Sequence, residues 1–254
     1  MRFEQRRGDE VLRDYLFEIP AECPYGLEQL AIYRQAPCPP LSGELFDDLL
    51  AAGYRRNGNT IYTMACVNCR ACVPIRLRLA DFKPNRNQRR VWARNRDLEI
   101  EHGPLRVSEE KLALCERFLA RRYPEKDPER GGWSPGTEPE VRFARAIDYY
   151  SGFFFSSITE TYEISYFLQG RLLGLAVVDL TPAALNAVYF YFDPDQAPRS
   201  PGTMNILYLV ELGRRLGCEF LYLGYWIEEV AAMSYKARFK PHQLLLDGVW
   251  QSRG

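Results

Sequence analysis

The sequence predicts an α+β fold in which antiparallel strands are followed by a helix, a strand and a second helix. The first observation is a hairpin pattern, because two apolar runs flank the turn residues Gln169 and Gly170. The second is the helical spacing of apolar residues over 202–216, and the third is the apolar and aromatic run 220–226 behind it. Together they predict a mixed sheet packed against helices.

Local patterns predict the remaining elements in chain order. Residues 73–79 alternate apolar side chains with Arg76 and Arg78, which predicts a half-buried strand. Ser108 precedes two glutamates and can cap a helix that extends to Arg121 and Arg122. Residues 124–139 contain four prolines and a Gly-Gly pair, which predicts a long exposed loop.

The C-terminal half continues with a strand over 185–192 and a helix over 228–239. This succession of elements predicts an acetyltransferase-like (GNAT-like) domain over residues 98–254, which would carry the catalytic site. Residues 1–97 are rich in cysteine, arginine and proline and predict a smaller α/β domain. The expected domain boundary therefore lies at residue 97.

Composition limits the classes of function. Lysine plus arginine equals aspartate plus glutamate at 33 each, so a nucleic acid would have to bind a local basic surface. Seven cysteines without an N-terminal apolar signal region argue against a secreted disulfide scaffold and favour the cytoplasm. Polar residues interrupt every apolar run before the roughly 20 residues that a membrane span requires.

Three cysteines follow one another at intervals of three residues, and a fourth lies far upstream. These residues are Cys66, Cys69, Cys72 and Cys23. Four thiolates suit tetrahedral zinc or an iron–sulfur cluster, and clustered cysteines in a reducing compartment favour a metal over a disulfide. The alternative is a set of reduced cysteines that only pack in the core.

A basic tract follows the cysteines and has no acid between its first and last cations. Its cations are Lys83, Arg86, Arg89, Arg90, Arg94 and Arg96. Lysine and arginine neutralise phosphates, and Trp92 offers a ring on which a base can stack. The tract therefore predicts an RNA-binding surface, with a solvated basic face as the alternative.

A second cluster of polar and aromatic residues lies on the last predicted strand and helix. Tyr222, Tyr225 and Glu228 are followed by Lys236 and Arg238 within a short distance along the chain. An ordinary core strand does not need an acid and two bases beside its tyrosines. The segment is therefore the predicted catalytic site.

Four blocks in this order resemble the aminoacyl-tRNA–protein transferases. The blocks are the cysteine repeat, the tract Gln88-Arg89-Arg90, the segment 192–195 with the sequence Phe-Asp-Pro-Asp, and residues 222–239. The chain is most similar to the short bacterial leucyltransferases, which are related to eukaryotic arginyltransferases, and the resemblance extends from Cys23 to Trp250. It implies transfer of leucine from leucyl-tRNA to proteins that begin with Asp or Glu, which marks them for degradation.

The resemblance implies roles for the candidate residues. Glu228 would orient or deprotonate the incoming amine, Tyr222 and Tyr225 would donate hydrogen bonds to the ester or ribose, and Lys236 belongs to the same catalytic set. The acidic acceptor residue needs cations, for which the candidates besides Lys236 are Arg55, Arg56, Arg76 and Arg238. The turn that contains Arg199 and Gly202 would lie near the tRNA end.

Several alternatives remain open from the residues alone. An arginyl donor would need an acidic pocket, and one sequence does not show which residues converge there. A coenzyme A-dependent N-acetyltransferase is disfavoured because Met204 stands where such enzymes carry a small residue in the pyrophosphate turn. A non-catalytic RNA-binding module would not need Glu228. The activated ester requires no cofactor for the chemistry, although related arginyltransferases are associated with an iron–sulfur cluster.

Overall fold

The computed structural model of the chain describes residues 15–122, 138–150, 152 and 156–254. Its helices are α1 Gly43–Ala51, α2 Arg86–Arg94, α3 Glu109–Arg122, α4 Pro139–Tyr149, α5 Pro201–Arg215 and α6 Ala231–Ser234. Two 3₁₀-helices span Pro194–Arg199 and Tyr235–Arg238. The strands are β1 Phe17–Glu22, β2 Leu30–Pro37, β3 Arg55–Asn57, β4 Thr60–Met64, β5 Val73–Arg78, β6 Glu99–Pro104, β7 Thr161–Leu168, β8 Arg171–Leu180, β9 Ala184–Phe192, β10 Phe220–Trp226, β11 His242–Leu246 and β12 Val249–Arg253.

The described strands form two sheets. The smaller sheet has the order β1-β2-β4-β3, and the larger has the order β12-β11-β5-β10-β9-β8-β7-β6. Neighbouring strands are antiparallel in both sheets, except that β9 and β10 are parallel. The predicted α+β class is confirmed.

The core lies on both faces of the larger sheet. Strand β8 is buried over most of its length, so its apolar residues run continuously instead of alternating with polar ones. Leu175 and Val177 pack in one cluster with α3, whereas Ala176 and Val178 pack in another with α5. A third cluster places α1 against Tyr222 of β10. The two sheets therefore share a buried boundary beside β10.

Strand β5 belongs to the larger sheet although it precedes residue 97. It pairs with β10 on one side and with β11 on the other. The predicted boundary at residue 97 remains a prediction, but the larger sheet is built from both sides of it. No helix in the described part of the chain is long and apolar enough to cross a membrane.

Several predicted elements are confirmed. The hairpin turns at Gln169 and Gly170, both of which have positive φ, and the strand 220–226 has the expected bounds. Ser108 caps α3, since its Oγ accepts a hydrogen bond from the amide of Lys111 at 3.3 Å. The loop predicted over 124–139 lies largely outside the described residues, and its last residue, Pro139, is the first residue of α4.

The helix predicted over 228–239 is wrong as a continuous element. The backbone turns after β10, and Val230 remains extended at the start of the four-residue α6. No side chain caps α6 or the 3₁₀-helix Tyr235–Arg238 behind it. Without a capping residue at its start, a short apolar pattern does not sustain one long helix.

Candidate active site

Strands β9 and β10 separate after a short parallel stretch. Their pairing ends at Asn186 and Tyr222. The register of β10 against β5 then shifts between Tyr222 and Tyr225, and Gly224 adopts a positive φ of 80°. A bulge of this kind bends a strand and redirects its carbonyl groups. The sheet consequently opens between β9 and the bulge in β10.

Two cationic side chains contact this bulge from different parts of the chain. Nη2 of Arg55, on β3, donates to the carbonyl oxygen of Gly224 at 3.2 Å. Nζ of Lys236, on the second 3₁₀-helix, donates to the carbonyl oxygen of Tyr225 at 2.8 Å. A Cβ atom at position 224 would lie 3.7 Å from that Nζ, an ordinary contact, so the positive φ is what favours glycine here.

Arg55 is a buried guanidinium that forms no ion pair within the described part of the chain. The residue is 4% exposed, Nη1 donates to the carbonyl of Tyr54 at 2.7 Å, and Nε has no hydrogen-bond partner there. The guanidinium carbon lies 5.5 Å from the ring centroid of Tyr222 and 5.7 Å from that of Tyr225. Burial lowers the pKa of Arg55. A buried unpaired cation is costly, so this position favours an anionic ligand.

Lys236 has an unusual protonation equilibrium. Burial first, and then the charges of Arg55 and Arg122, lower the pKa of Lys236 to about 7. Its Nζ also lies 3.6 Å from the Sδ atom of Met233. Below this pKa the side chain is an ammonium, and above it the side chain is a neutral amine that can accept a proton.

Arg56, next in sequence to Arg55, is fully engaged elsewhere. Its Nε and Nη2 donate to the carboxylate of Asp179, at 2.9 Å and 2.7 Å for the shortest contacts, and both side chains are completely buried. Thr161 and Asn186 also donate hydrogen bonds to Asp179. The pair joins β3 of the smaller sheet to β8 of the larger one.

Arg76 is held by two aromatic rings and two hydrogen bonds. Its guanidinium carbon lies 3.7 Å from the ring centroid of Phe220 and 4.1 Å from that of Trp250. Nη1 donates to the hydroxyl of Tyr222 at 2.9 Å, and Nε donates to Oε1 of Gln243 at 2.7 Å. These contacts fix β5 against β10 and β11.

The remaining predicted catalytic residues differ in their surroundings. Glu228 is exposed in the turn after β10, and no hydrogen bond or ion pair in the described structure joins it to Lys236. The hydroxyl of Tyr222 accepts from Arg76, whereas the hydroxyl of Tyr225 is buried beside Thr63. Burial raises the pKa of both tyrosines, which therefore remain hydrogen-bond donors at neutral pH. Arg238 is exposed.

Helix α2 carries the predicted RNA-binding surface. Five of the cations in the tract are exposed at its start or along its length, namely Lys83, Arg86, Arg89, Arg90 and Arg94. Trp92 instead packs against the core below the helix, so the expected stacking ring is not fully available. Arg199 forms an ion pair with Asp97 and donates to Oδ1 of Asn95 at 3.2 Å, which ties its guanidinium to the end of α2.

The start of α5 was expected to exclude a pyrophosphate because of Met204, and this argument is wrong. Met204 is 4% exposed, so its side chain packs inside the protein instead of projecting at the helix start. Ser200, with a φ of 57°, precedes the helix without a side-chain cap, and Gly202 lies in the first turn near the hydroxyl of Tyr235. The spacing of the turn residues alone did not reveal the direction of the methionine.

The four predicted metal-binding cysteines are neighbours without metal-binding geometry. Burial, followed by the nearby thiols of Cys23, Cys66 and Cys69, raises the pKa of Cys72 to about 12. The Sγ of Cys66 accepts from the amide of Ile32 at 3.4 Å. No three cysteine, histidine, aspartate or glutamate residues in the described ranges are arranged to hold an ion. As placed here, the residues do not fit zinc or an iron–sulfur cluster.

Comparison with known proteins establishes the family. The family model described as the N terminus of arginine-tRNA-protein transferase matches residues 21–90, and the model of its C terminus matches residues 110–246. The chain belongs to the arginine-tRNA-protein transferase family. It is accordingly an enzyme of the aminoacyl-tRNA–protein transferase class, as the sequence predicted.

Relatives of this transferase cover almost its whole length. An aspartate/glutamate leucyltransferase of Pseudomonas fluorescens (strain Pf0-1) is 35% identical over 235 residues, which are 91% of this chain and 93% of the relative. A protein of the same name from Marinobacter nauticus is 36% identical over 208 residues, 82% of each chain. The predicted resemblance to bacterial leucyltransferases is confirmed.

Solved structures similar to the transferase have low sequence identity. FemX shares 10% identity with a TM-score of 0.43, covering 94% of this chain and 87% of that chain. The C-terminal domain of a lysylphosphatidylglycerol synthetase from Agrobacterium fabrum shares 17% identity with a TM-score of 0.41, covering 76% and 55%. A GCN5-related N-acetyltransferase from Kribbella flavida shares 11% identity with a TM-score of 0.37, covering 68% and 53%.

Sequence reasoning missed two residues that shape the transferase site. Gly224 creates the bulge, and Gln88 connects α2 to the 3₁₀-helix that carries Lys236 by donating to the carbonyl of Arg238 at 3.2 Å. Asn85 and Gln88 have the spacing of a helix capping box, which could have revealed the start of α2. Nothing local marks Gly224, because an isolated glycine in an apolar strand has several explanations.

Proposed function

We propose that this transferase moves leucine from leucyl-tRNA to the N-terminal Asp or Glu of acceptor proteins and thereby marks them for degradation. The names of its curated relatives support this activity. The observation that carries it is the buried guanidinium of Arg55, which lacks a carboxylate partner in the described structure and lies beside Lys236 at the bulge in β10. An acidic acceptor residue supplies the missing anion.

The reaction needs alignment more than activation. The neutral α-amine of the acceptor attacks the carbonyl carbon of the leucyl ester, and an amide bond forms as the ester C–O bond breaks. The amine loses one proton, and the departing ribose oxygen gains one. Because the ester is already activated, neither a covalent enzyme intermediate nor a cofactor is required for these steps.

We assign the site residues by their surroundings. Arg55 binds the acceptor carboxylate, and Lys236 in its neutral form accepts the proton of the α-ammonium. Tyr225 remains a candidate donor to the ester, with Glu228 as a rim residue that orients the amine. Arg56 joins the two sheets through Asp179, and Arg76 holds β5 within the larger sheet through the aromatic rings of Phe220 and Trp250.

The charge of the site favours a leucyl over an arginyl donor. Arg55 and Arg122 are the charged groups that depress the pKa of Lys236 in the described structure. A guanidinium from an arginyl group would add a further cation close to these, whereas a leucyl side chain adds no charge. The same cations attract an acidic acceptor.

A single assay tests the proposed function. The enzyme is incubated with a charged tRNA mixture and peptides that differ only in their N-terminal residue, and product masses identify the added group. We expect leucine on Asp and Glu peptides and little product on Asn and Gln peptides. Addition of arginine would support the arginyl alternative, and acetylation from acetyl-coenzyme A without aminoacyl transfer would contradict the proposal.

The partners and location follow from this activity. The partners are leucyl-tRNA and proteins with N-terminal Asp or Glu, and the proposed location is the cytoplasm. All seven cysteines are free thiols, which suits a reducing compartment. Zinc or an iron–sulfur cluster has no assigned role in this proposal.

The rate at saturating substrates should rise with pH. Only the neutral form of Lys236 accepts a proton, and its pKa is about 7, so kcat should fall about tenfold per pH unit below that midpoint. Rates measured between about pH 5.5 and 8.5 provide the profile. The acceptor amine also titrates, near pH 7.7–8.0. If Lys236→Met kept the wild-type midpoint, the proton acceptor would have to be another group.

Removing two arginines from the surface of α2 should weaken tRNA binding. In the variant R89A/R90A, the affinity for tRNA should decrease for every tRNA identity, because phosphate contacts do not read bases. The slope of log affinity against log salt should fall by about 1 to 2. The control R171A/R253A removes two exposed arginines from other parts of the larger sheet. An unchanged salt slope in R89A/R90A would favour a solvated basic face.

A further inference from the structure

Gln88 is a buried polar residue on a helix whose other polar side chains mostly face solvent. It is 4% exposed, and both ends of its amide group are used. Its Oε1 accepts from the amide of Asn85 at 2.8 Å, while its Nε2 donates to the carbonyl of Arg238 at 3.2 Å. The amide of Gln88 donates in return to Oδ1 of Asn85 at 3.0 Å. One half of this side chain therefore caps α2, and the other half binds a different element.

Helix α2 connects two short elements near the opening in the sheet. Its first turn contacts the 3₁₀-helix Tyr235–Arg238 through Gln88. Its last turn contacts the 3₁₀-helix Pro194–Arg199, since Nη1 of Arg94 donates to the carbonyl of Pro198 at 2.5 Å and Nδ2 of Asn95 donates to that of Arg199 at 3.0 Å. Hydrogen bonds thus connect the helix that carries the basic surface to both elements.

The 3₁₀-helix that carries Lys236 is held by tertiary contacts, which include the packing of Tyr235 against the core. It contains four residues and has no side-chain cap. Lys236 bonds to the carbonyl of Tyr225 at 2.8 Å, and the ring of Phe239 lies 6.0 Å from that of Phe82. A single-turn element of this kind depends on such tertiary contacts for its position. The amide of Gln88 is one of them.

We propose that Gln88 is a positioning residue that holds the 3₁₀-helix of Lys236 in register with the tRNA-binding face of α2. This inference rests on the proposed function, since it assigns tRNA to α2 and proton transfer to Lys236. The hydrogen bond to Arg238 lies two residues beyond Lys236, so its loss displaces Nζ without removing any exposed cation. Gln88 therefore affects the chemical step more than tRNA binding.

The groups that face Lys236 make its position measurable by pH. Arg55 approaches from β3, Arg122 from α3 and the carbonyl of Tyr225 from β10. Burial is the largest influence on the pKa of Lys236, so a looser 3₁₀-helix returns this pKa towards its ordinary, higher value. The midpoint of the pH profile of kcat should then move upward.

The test compares Q88M with N85A. Q88M removes the donor to Arg238, whereas N85A removes a capping bond from the same helix start and leaves that donor in place. We expect kcat of Q88M to fall about tenfold, with KM for leucyl-tRNA within about twofold and the pH midpoint raised. N85A should lose about as much resistance to urea denaturation as Q88M does, but its kcat should stay within about twofold of wild type.

The outcomes separate the inference from the proposed function. Absence of leucine transfer by the wild-type enzyme would refute both. Leucine transfer by the wild type together with wild-type kcat and pH midpoint in Q88M would refute only the positioning role, as would an equal loss of kcat in N85A. Should Q88M fail to fold, Q88N retains an amide that is one methylene group shorter and is judged by the same outcomes.

Discussion

Replacing Arg55 by methionine should lower the preference for an Asp-initiated peptide over the matching Asn peptide by about 100-fold, whereas the loss of its charge raises the pKa of Lys236 and affects both peptides alike. A charge-assisted hydrogen bond contributes roughly 1.5–3 kcal/mol, and each 1.36 kcal/mol corresponds to about tenfold in rate. The measurement is kcat/KM for the two peptides at fixed leucyl-tRNA. An unchanged preference for Asp over Asn would move the acceptor pocket to Arg238 or to backbone donors.

The same variant should remain folded, which separates a binding role from a structural one. Arg55 donates to two backbone carbonyls, but its buried charge lacks a carboxylate partner in the described structure. Loss of these hydrogen bonds destabilises the fold, whereas removal of the unpaired buried cation stabilises it. The two effects oppose each other, so the free energy of unfolding should change by only about 1 kcal/mol. Urea denaturation measures this change. A loss of several kcal/mol would show that Arg55 supports the fold.

Replacing Arg56 by methionine should have the opposite effect and lower the free energy of unfolding by about 3–5 kcal/mol. The substitution leaves the carboxylate of Asp179 fully buried without its cation. Thr161 and Asn186 still donate to this carboxylate, at 2.7 Å and 2.9 Å, but neither is charged. Urea denaturation of wild type and variant gives the difference, and the preference for Asp over Asn should persist in whatever fraction remains folded.

A double variant tests the origin of this loss. R56M/D179L removes both charges and should recover most of the stability, since a buried pair can often be replaced by apolar groups. Recovery identifies the unpaired carboxylate as the cause. If R56M alone cost less than about 1 kcal/mol, water or a rearranged side chain would have to compensate Asp179.

These adjacent arginines illustrate what the sequence could predict. Both were assigned to the acceptor pocket because an acidic acceptor residue needs cations. Successive side chains on a strand point to opposite faces, so Arg55 lies towards Gly224 and Arg56 towards Asp179. Asp179 is 123 residues away in sequence, and no local pattern joins it to Arg56. The roles of Arg55 and Arg56 can therefore be distinguished only when their tertiary partners are known.

Regular elements with strong periodicity were predicted well. The strand 220–226, the hairpin around Gly170 and the helices α3 and α5 all have patterns that local physics decides. Helix α2 was missed because its residues are polar almost throughout, and its stability depends on the capping box and on tertiary contacts. The helix over 228–239 failed because its apolar spacing lacked a capping residue.

The spacing of the cysteines predicted that they lie close together, but it did not predict the geometry of their thiols. Cys72 does lie near Cys23, Cys66 and Cys69, whose thiols add to the effect of burial in raising its pKa. The thiols of Cys66 and Cys69 accept hydrogen bonds from the backbone amides of Ile32 and Ala71, and a spacing pattern does not encode such contacts. The same limit applied to Met204, whose position in the turn was recognised but whose burial was not.

The insertion of β5 between β10 and β11 determines when the enzyme can acquire its structure during synthesis. Residues 73–78 leave the ribosome long before the two strands that pair with them. These strands, β10 and β11, begin at residues 220 and 242. Until β10 and β11 are synthesised, both edges of β5 are unpaired and can associate with another copy of the chain. Such distant pairing also slows folding of the finished chain. Expression of residues 98–254 alone would leave β10 and β11 without the strand that joins them, so this fragment should aggregate unless residues 73–78 are supplied.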